Sequence, residues 1–205
     1  MNRIYTTKKY RNKTMIYCAG KMEAFSFAKS IGVGLVESAI NLTRSILYDR
    51  PEEITFVGTC GAYMESIPLL EIFETQSATN IELSFLQKQC YTPLNNFLTN
   101  VSCETMTKNS NDILSQNLKI VNSSNYITTD STLAKHLVKL GITYENMEFF
   151  SILQVAKAFE LPVIGIFCVT NHTHSEAQKE FFANHKAAIK RLESYIYSKS
   201  KNFHQ

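Results

Sequence analysis

The sequence predicts an α/β protein, a three-layer sandwich whose central sheet is mixed and largely parallel. Short apolar runs of strand length alternate with longer segments that have a helical apolar period. Glycines and polar clusters separate these runs, as expected where strands and helices meet. Apolar residues make up 44% of the 205 residues, which suffices for one sizeable core. No repeat or internal boundary is visible, so we expect a single domain over residues 1–205.

The first half of the chain gives its elements in a clear order, after an irregular or edge segment over residues 1–13. They are a strand over Met15–Ala19, a helix over Val36–Leu47, a strand over Ile54–Val57, a turn at Gly58–Gly61 and a strand over Leu69–Thr75. The helix is predicted because its apolar residues recur at helical spacing. Residues 76–111 are rich in Thr, Asn, Gln and Ser, and we expect mostly irregular structure there, with a strand near Asn100–Cys103.

The second half is more regular. The predicted elements are a strand over Leu118–Val121, a helix over Ser131–Leu140, a helix over Met147–Phe159, a strand over Val163–Val169 and a long amphipathic helix over Ser175–Tyr197. Asp130 or Ser131 can cap the first of these helices, and Gly141 ends it.

Composition excludes several functions. The net charge of +3 is too small to favour nucleic acid as a partner, and no apolar run is long enough to span a membrane. The five cysteines form no CxxC pair, and no apolar signal segment begins the chain, so we expect a cytoplasmic protein with reduced thiols. His172 and His174 lie close together, but no other ligands cluster beside them in the sequence, so we expect no metal.

Two polar residues are candidates for one pocket. Glu148 begins a predicted helix, and Asn171 follows a predicted buried strand. Ligands of open α/β sheets bind beyond the carboxyl ends of the strands, so these side chains can meet although they are far apart in sequence. The other interpretations are a favourable charge in a helix first turn for Glu148 and a turn or capping residue for Asn171.

Four segments carry a resemblance to a known family. They are Ser30–Ala39 (SIGVGLVESA), Ile54–Ala62 (ITFVGTCGA), Asn146–Glu148 (NME) and Leu161–Asn171 (LPVIGIFCVTN). In this order they resemble the nucleoside phosphorylase and nucleosidase superfamily, which includes purine nucleoside phosphorylases and methylthioadenosine/adenosylhomocysteine nucleosidases. The resemblance covers about residues 15–197. An unrelated flavodoxin-like or regulatory α/β domain is the alternative, and the order of the segments disfavours it.

The resemblance implies cleavage of the N-glycosidic bond of a purine nucleoside, with phosphorolysis favoured over hydrolysis. The alternative is a catalytically degenerate member that binds a nucleoside or base. No cofactor is implied, and phosphate would be the co-substrate of a phosphorylase. Family members commonly complete their pockets at subunit contacts, so we expect a homo-oligomer, a dimer or higher, with residues 76–100 as a candidate contact region.

The resemblance also assigns residue roles. Glu148 would bind the ribose hydroxyls, Met147 would pack under the sugar and Tyr126 would stack on the purine, with Gly61 as a further substrate-binding residue. Asn171 would accept from a protonated N7 and donate to a 6-oxo group, where nucleosidases carry an aspartate. From the residues alone, Tyr126 also fits an ordinary half-buried strand aromatic.

Three further residues would serve phosphate or water. Thr59 and Gly20 would bind phosphate or the attacking water, and Glu23 would activate water, although a solvated glutamate is its simpler interpretation. Two features depart from the family. Phe56 replaces an arginine of the hexameric phosphorylases, and the chain is shortened between Gly20 and Gly32.

Overall fold

The computed structural model describes residues 13–100 and 118–202. The strands in these ranges are β1 (Thr14–Cys18), β2 (Lys29–Ser30), β3 (Glu53–Ala62), β4 (Ile72–Thr75), β5 (Ser77–Thr79), β6 (Phe97–Thr99), β7 (Ile120–Ser123), β8 (Tyr144–Asn146) and β9 (Val163–His172). The helices are α1 (Leu35–Asp49), α2 (Leu83–Leu86), α3 (Ser131–Lys139), α4 (Phe149–Ala158) and α5 (Ala177–Asn202). No helix in the described ranges is long and apolar enough to cross a membrane.

The nine strands form one mixed sheet built around β3. One edge of β3 pairs in parallel with β9, from Ile54 opposite Val163 to Ala62 opposite His172. The other edge pairs in parallel with β1 and then, at Gly61 and Ala62, antiparallel with β8. From β8 the sheet continues through β7 and β5 to β6, while β2 borders β1 and β4 borders β9. Most of these ladders are parallel.

Side chains of β3 and β9 alternate between two hydrophobic cores. Phe56 and Phe167 lie in the core with α1 and α4, whereas Val57 and Ile166 lie in the core with α5. Because both faces of these strands are covered, they read in the sequence as continuous apolar runs. The structure is therefore the predicted three-layer α/β sandwich with a mixed, largely parallel sheet.

Helices α1 and α4 are joined at their N-terminal ends by two buried serines. The Ser38 and Ser151 hydroxyl oxygens lie 2.8 Å apart. Ser38 also lies 2.7 Å from the carbonyl oxygen of Gly34, and Ser151 lies 2.8 Å from that of Glu148. These contacts hold the backbone of Gly34 close to that of Glu148.

Several predicted element bounds need correction. The turn predicted at Gly58–Gly61 is wrong, because β3 runs through these residues to Ala62 and pairs with β9 on both sides of a bulge after Cys60. The strand predicted over Leu69–Thr75 begins only at Ile72, since Leu70 has a left-handed backbone (φ 65°).

The segment expected to be irregular is more ordered than its composition suggests. Residues 76–100 contain β5, α2 and β6. Asn100 follows β6 without belonging to a strand, and the rest of the strand predicted near Asn100–Cys103 lies outside the described residues. The helix predicted to begin at Ser131 does so, and Asp130 caps it by accepting the N–H groups of Thr132 and Leu133.

Candidate active site

A pocket of about 230 Å³ lies at one edge of the sheet, where the carboxyl ends of the parallel strands β1, β3 and β9 meet. Its wall includes all eight residues that the sequence singled out: Gly20, Glu23, Thr59, Gly61, Tyr126, Met147, Glu148 and Asn171. The end of a parallel sheet is where such folds place ligands, so the pocket is the candidate active site of the chain.

Glu23 and Thr59 form a hydrogen-bonded pair in the pocket wall. Glu23 lies in the loop after β1, and its backbone N–H donates to the carbonyl of Gly20 at 2.9 Å. Its carboxylate accepts the Thr59 hydroxyl in a short contact and the Thr59 N–H at 3.2 Å. A Cβ at Gly58 would lie 3.1 Å from the carboxylate, so the glycine permits this approach. Burial is the main cause that raises the pKa of Glu23.

Glu148 is buried between β8 and α4. Its Oε1 accepts the N–H of Gly34 at 2.9 Å, and its Oε2 accepts the Asn146 amide at 3.1 Å and the Met147 N–H at 3.2 Å. The side chain therefore turns towards the start of α1 and makes no capping bond to its own helix. Burial, followed by the negative charge of Glu23, raises the pKa of Glu148 to about 8.

Asn171, Gly61 and Glu145 form one row across three neighbouring strands. Gly61 pairs with Asn171 of β9 on one side and with Glu145 of β8 on the other. A Cβ at Gly61 would lie 3.1 Å from Asn171 Nδ2 and 3.2 Å from Glu145 Oε1. The missing side chain thus leaves a gap bordered by an amide and a carboxyl. The Asn171 amide also accepts the Thr170 hydroxyl at 3.0 Å.

Glu145 was not among the predicted site residues, although it lines the pocket and is 6% exposed. Its carboxyl accepts the Tyr63 hydroxyl at 3.0 Å and the Thr128 N–H at 3.1 Å. Burial raises the pKa of Glu145 to about 7. A strand of three residues gives no periodic signal, and the only available sign was a second acidic residue three positions before Glu148.

The remaining wall residues differ in exposure. Tyr126 is 83% exposed, so it is not the half-buried strand aromatic of the alternative interpretation. Gly20 has a left-handed backbone (φ 90°), and a Cβ there would lie 2.8 Å from Ser30. Met147 lies directly before Glu148 in the wall.

Positive charge is scarce around the pocket. Lys21 is the one cationic side chain among the wall residues that the structure describes. Arg44, which could have supplied charge, lines a separate groove with Lys29 and Tyr48. Phe56, at the position of the phosphorylase arginine, is fully buried beside Phe149 and Phe167.

Three potential metal ligands lie just beyond Asn171. Nitrogen and oxygen atoms of His172, His174 and Glu180 are within 4.8 Å of one another. However, Nδ1 of His174 accepts the backbone N–H of Glu176 at 3.1 Å. Its Nε2 lies 3.4 Å from Glu180 Oε2, which also accepts the backbone N–H of His172 at 2.7 Å. We therefore assign this cluster to contacts between histidines and a carboxylate.

The fold and the pocket at the carboxyl ends of its parallel strands define the class as an α/β sandwich with a ligand-sized site. The chain belongs to the phosphorylase superfamily, whose family model matches residues 2–198. The resemblance seen in the sequence is thereby confirmed. No curated protein sequence matches the chain.

Three solved structures illustrate the proteins that share this fold. A mutant of futalosine hydrolase from Helicobacter pylori strain 26695 aligns with a TM-score of 0.74 at 14% identity, covering 94% of this chain and 100% of that chain. An aspartate-to-asparagine mutant of the Helicobacter pylori nucleosidase MTAN, with 5′-methylthioadenosine in its active site, gives 0.73 at 13% identity, with coverages of 94% and 99%. The 5′-methylthioadenosine/S-adenosylhomocysteine nucleosidase from S. pneumoniae, with a transition-state inhibitor, gives 0.68 at 13% identity, with coverages of 90% and 96%.

Proposed function

We propose that this chain hydrolyses the N-glycosidic bond of a purine nucleoside. Family membership supports bond cleavage at a nucleoside, and the structural neighbours are named as hydrolases or nucleosidases. The Glu23–Thr59 pair in the pocket wall is the observation that favours water over phosphate as the attacking group.

Nucleoside placement follows from the polar groups of the pocket. Glu148 takes the ribose, since a carboxyl can bind two adjacent hydroxyls and its present partners are hydrogen-bond donors that it can exchange. The base lies over Gly61, where the missing side chain leaves room between Asn171 and Glu145. Tyr126 covers the base from the exposed side of the pocket.

Water fits the remaining wall better than phosphate does. The Thr59 hydroxyl and N–H are the donors that a phosphate would need, and the Glu23 carboxylate already accepts both. A dianion beside this carboxylate would be repelled, and Lys21 is the one cation that the described wall offers to offset the repulsion. Asn171, which stands where nucleosidases carry an aspartate, concerns the base and leaves open whether water or phosphate is the acceptor.

Glu23 then acts as the general base. Its raised pKa makes the carboxylate a stronger proton acceptor than an exposed glutamate. As the bond to the base lengthens, positive charge develops on the ribose, and Glu23 takes a proton from the water that attacks C1′. Thr59 holds Glu23 in place by donating two hydrogen bonds to it.

The test is product analysis with inosine, adenosine and 5′-methylthioadenosine, each with and without phosphate. We expect free base and the free sugar, ribose or 5-methylthioribose, at a rate that does not depend on phosphate. Glu23→Gln should lower kcat by about 10²- to 10⁴-fold, the usual contribution of a general base. Glu52→Gln, at an exposed position, is the matched control.

Other outcomes would correct the proposal. Ribose 1-phosphate as product, with no turnover in the absence of phosphate, would establish phosphorolysis. Nucleoside binding in calorimetry without any product would favour the degenerate binder, which the asparagine at position 171 supports as the second candidate.

A further inference from the structure

The pocket lacks an evident proton donor at Asn171. A purine leaves more readily when one of its ring nitrogens is protonated during bond cleavage. The amide of Asn171 can orient such a proton, but it cannot supply one. Three carboxyls line the described pocket wall, and two of them already have tasks: Glu23 pairs with Thr59, and Glu148 faces the start of α1.

We propose that Glu145 is the general acid that protonates the departing base. This inference rests on the proposed function, since it adds a residue to the same reaction. Its geometric basis is the row of Glu145, Gly61 and Asn171 on three adjacent strands. Both flanking side chains lie within 3.2 Å of the position that a Cβ at Gly61 would take. A flat base over Gly61 would therefore contact the carboxyl and the amide together.

The surroundings of Glu145 keep its acid form available near neutral pH. Burial raises its pKa to about 7. The titratable groups that face it are the Tyr63 hydroxyl, which donates to Oε2, and the Cys60 thiol on β3. The pKa values of both are raised well above their usual range, so neither carries charge at neutral pH. The Thr128 N–H fixes the carboxyl from the loop before α3.

Protons and electrons balance in the proposed step. The O–H bond of Glu145 breaks as a bond from hydrogen to N7 of the purine forms. The C1′–N9 bond breaks with its electron pair moving into the base, and the water oxygen bonds to C1′ as its proton passes to Glu23. Ribose and neutral purine leave, and exchange with solvent returns the proton from Glu23 to Glu145.

The experiment compares two substrates in Glu145→Gln. Inosine needs protonation of its leaving group, whereas 4-nitrophenyl β-ribofuranoside releases a stable anion that needs none. We expect kcat/KM for inosine to fall by about 10²- to 10⁴-fold and that for the nitrophenyl riboside to change less than about threefold. Because the glutamine side chain has nearly the same shape, nitrophenyl turnover also reports that the pocket is intact.

The pH profile gives a second readout. For the wild type with inosine, kcat/KM should decline above about pH 7 as Glu145 loses its proton, and in Glu145→Gln the onset of this decline should move to about pH 8, where Glu148 titrates. Glu145→Gln combined with Asn171→Asp should recover part of the inosine activity, because the new carboxyl can donate the proton. Glu52→Gln should match the wild type on both substrates.

Several results would overturn the acid role. An equal loss on both substrates would show that Glu145 only maintains the pocket, and an unchanged inosine rate would show that it is dispensable. A wild type that cleaves the nitrophenyl riboside but no purine nucleoside would contradict both the acid role and purine as the leaving group. A wild type that cleaves neither substrate would overturn the proposed function and the acid role with it.

Discussion

At the scale of single residues, Glu148 provides the most direct test of nucleoside binding. In Glu148→Gln the new amide N–H would face the Asn146 amide and the Met147 N–H, which are both donors. We expect nucleoside affinity to weaken by about 1–3 kcal/mol, typical of a hydrogen bond lost at a buried group, while the fold persists. Isothermal calorimetry measures the nucleoside affinity of the variant, and the exposed Glu160→Gln serves as the control. An unchanged affinity would exclude Glu148 from ribose binding.

Asn171 is predicted to determine which purine base the site prefers. Its amide can donate to a 6-oxo group and accept from a protonated N7, so inosine or guanosine should be cleaved faster than adenosine. Asn171→Asp should shift the ratio of kcat/KM for inosine over adenosine towards adenosine by about tenfold, which corresponds to about 1.4 kcal/mol. The reason is that a protonated carboxyl donates to N7 while its other oxygen accepts from the 6-amino group. A ratio that stays the same would show that Asn171 does not read the purine.

The sequence located much of the pocket wall because its residues lie in segments with family order. Glu23 and Tyr126 were predicted in spite of ambiguous surroundings, and both lie in the wall. Glu145 was not found, because its place depends on the antiparallel pairing of β8 with the end of β3. Gly61 and Glu145 pair although they are 84 positions apart, which leaves no local pattern, so only the folded chain reveals the Glu145–Asn171 row.

At the scale of elements, the serine contact between α1 and α4 is expected to stabilise the pocket. Ser38→Ala and Ser151→Ala each remove one hydroxyl from a buried contact that lies beside Gly34 and Glu148. Each should lower the free energy of unfolding by about 1 kcal/mol. In a double-mutant cycle measured by urea unfolding, we expect a coupling of about 0.5–1.5 kcal/mol. Additive single effects would show that the two helices are not coupled through these hydroxyls.

Element prediction succeeded where a helical apolar period is present, as in α4, and where a capping residue also marks the helix start, as in α3. It was wrong at Gly58–Gly61, where two glycines suggested a turn. The absence of a side chain at Gly58 lets Glu23 approach, and its absence at Gly61 leaves the gap between Asn171 and Glu145. Both glycines are therefore explained by close approach of other side chains and not by a turn. In residues 76–100, β5 and β6 were not predicted because a strand of only three residues gives no detectable alternation in the sequence.

At the scale of the whole molecule, the buried carboxyls should make stability depend on pH. The folded-state pKa values of Glu145 and Glu148 are raised to about 7 and about 8, so the folded chain holds protons that the unfolded chain releases above pH 4.5. The contribution of these two groups to stability is therefore fully present below pH 4.5 and is lost as pH rises through their folded-state pKa values. For Glu145 alone we expect a loss of roughly 2 kcal/mol between pH 5 and 8.

Urea unfolding at pH 5 and pH 8 tests this dependence. The difference in unfolding free energy between the two pH values should be smaller in Glu145→Gln than in the wild type, because the amide does not titrate. The exposed Glu52→Gln should retain the full difference. If the wild type were equally stable at both pH values, the buried carboxyls would not be coupled to folding.

The chain is also predicted to form a homo-oligomer through residues 76–100. This region exposes apolar side chains over a short stretch of surface: Leu83, Phe85, Tyr91 and Leu94. Light scattering should give at least twice the monomer mass of 23.3 kDa at micromolar concentration. Leu94→Glu should lower that mass, while Tyr48→Glu, at an exposed position on α1, should not. A monomer in the wild type would contradict the prediction.

The pairing of β3 with three other strands has a consequence for how the molecule opens. Its amide protons can exchange with deuterated solvent only when several ladders separate at once, so they should be among the slowest to exchange in the chain. The loop that carries Tyr126 lies outside these ladders and is held by single hydrogen bonds to its backbone, so its amides should exchange earlier than those of β3. A nucleoside would therefore enter and leave past this loop, while Thr59 and Gly61 remain fixed on the slowest-opening strand.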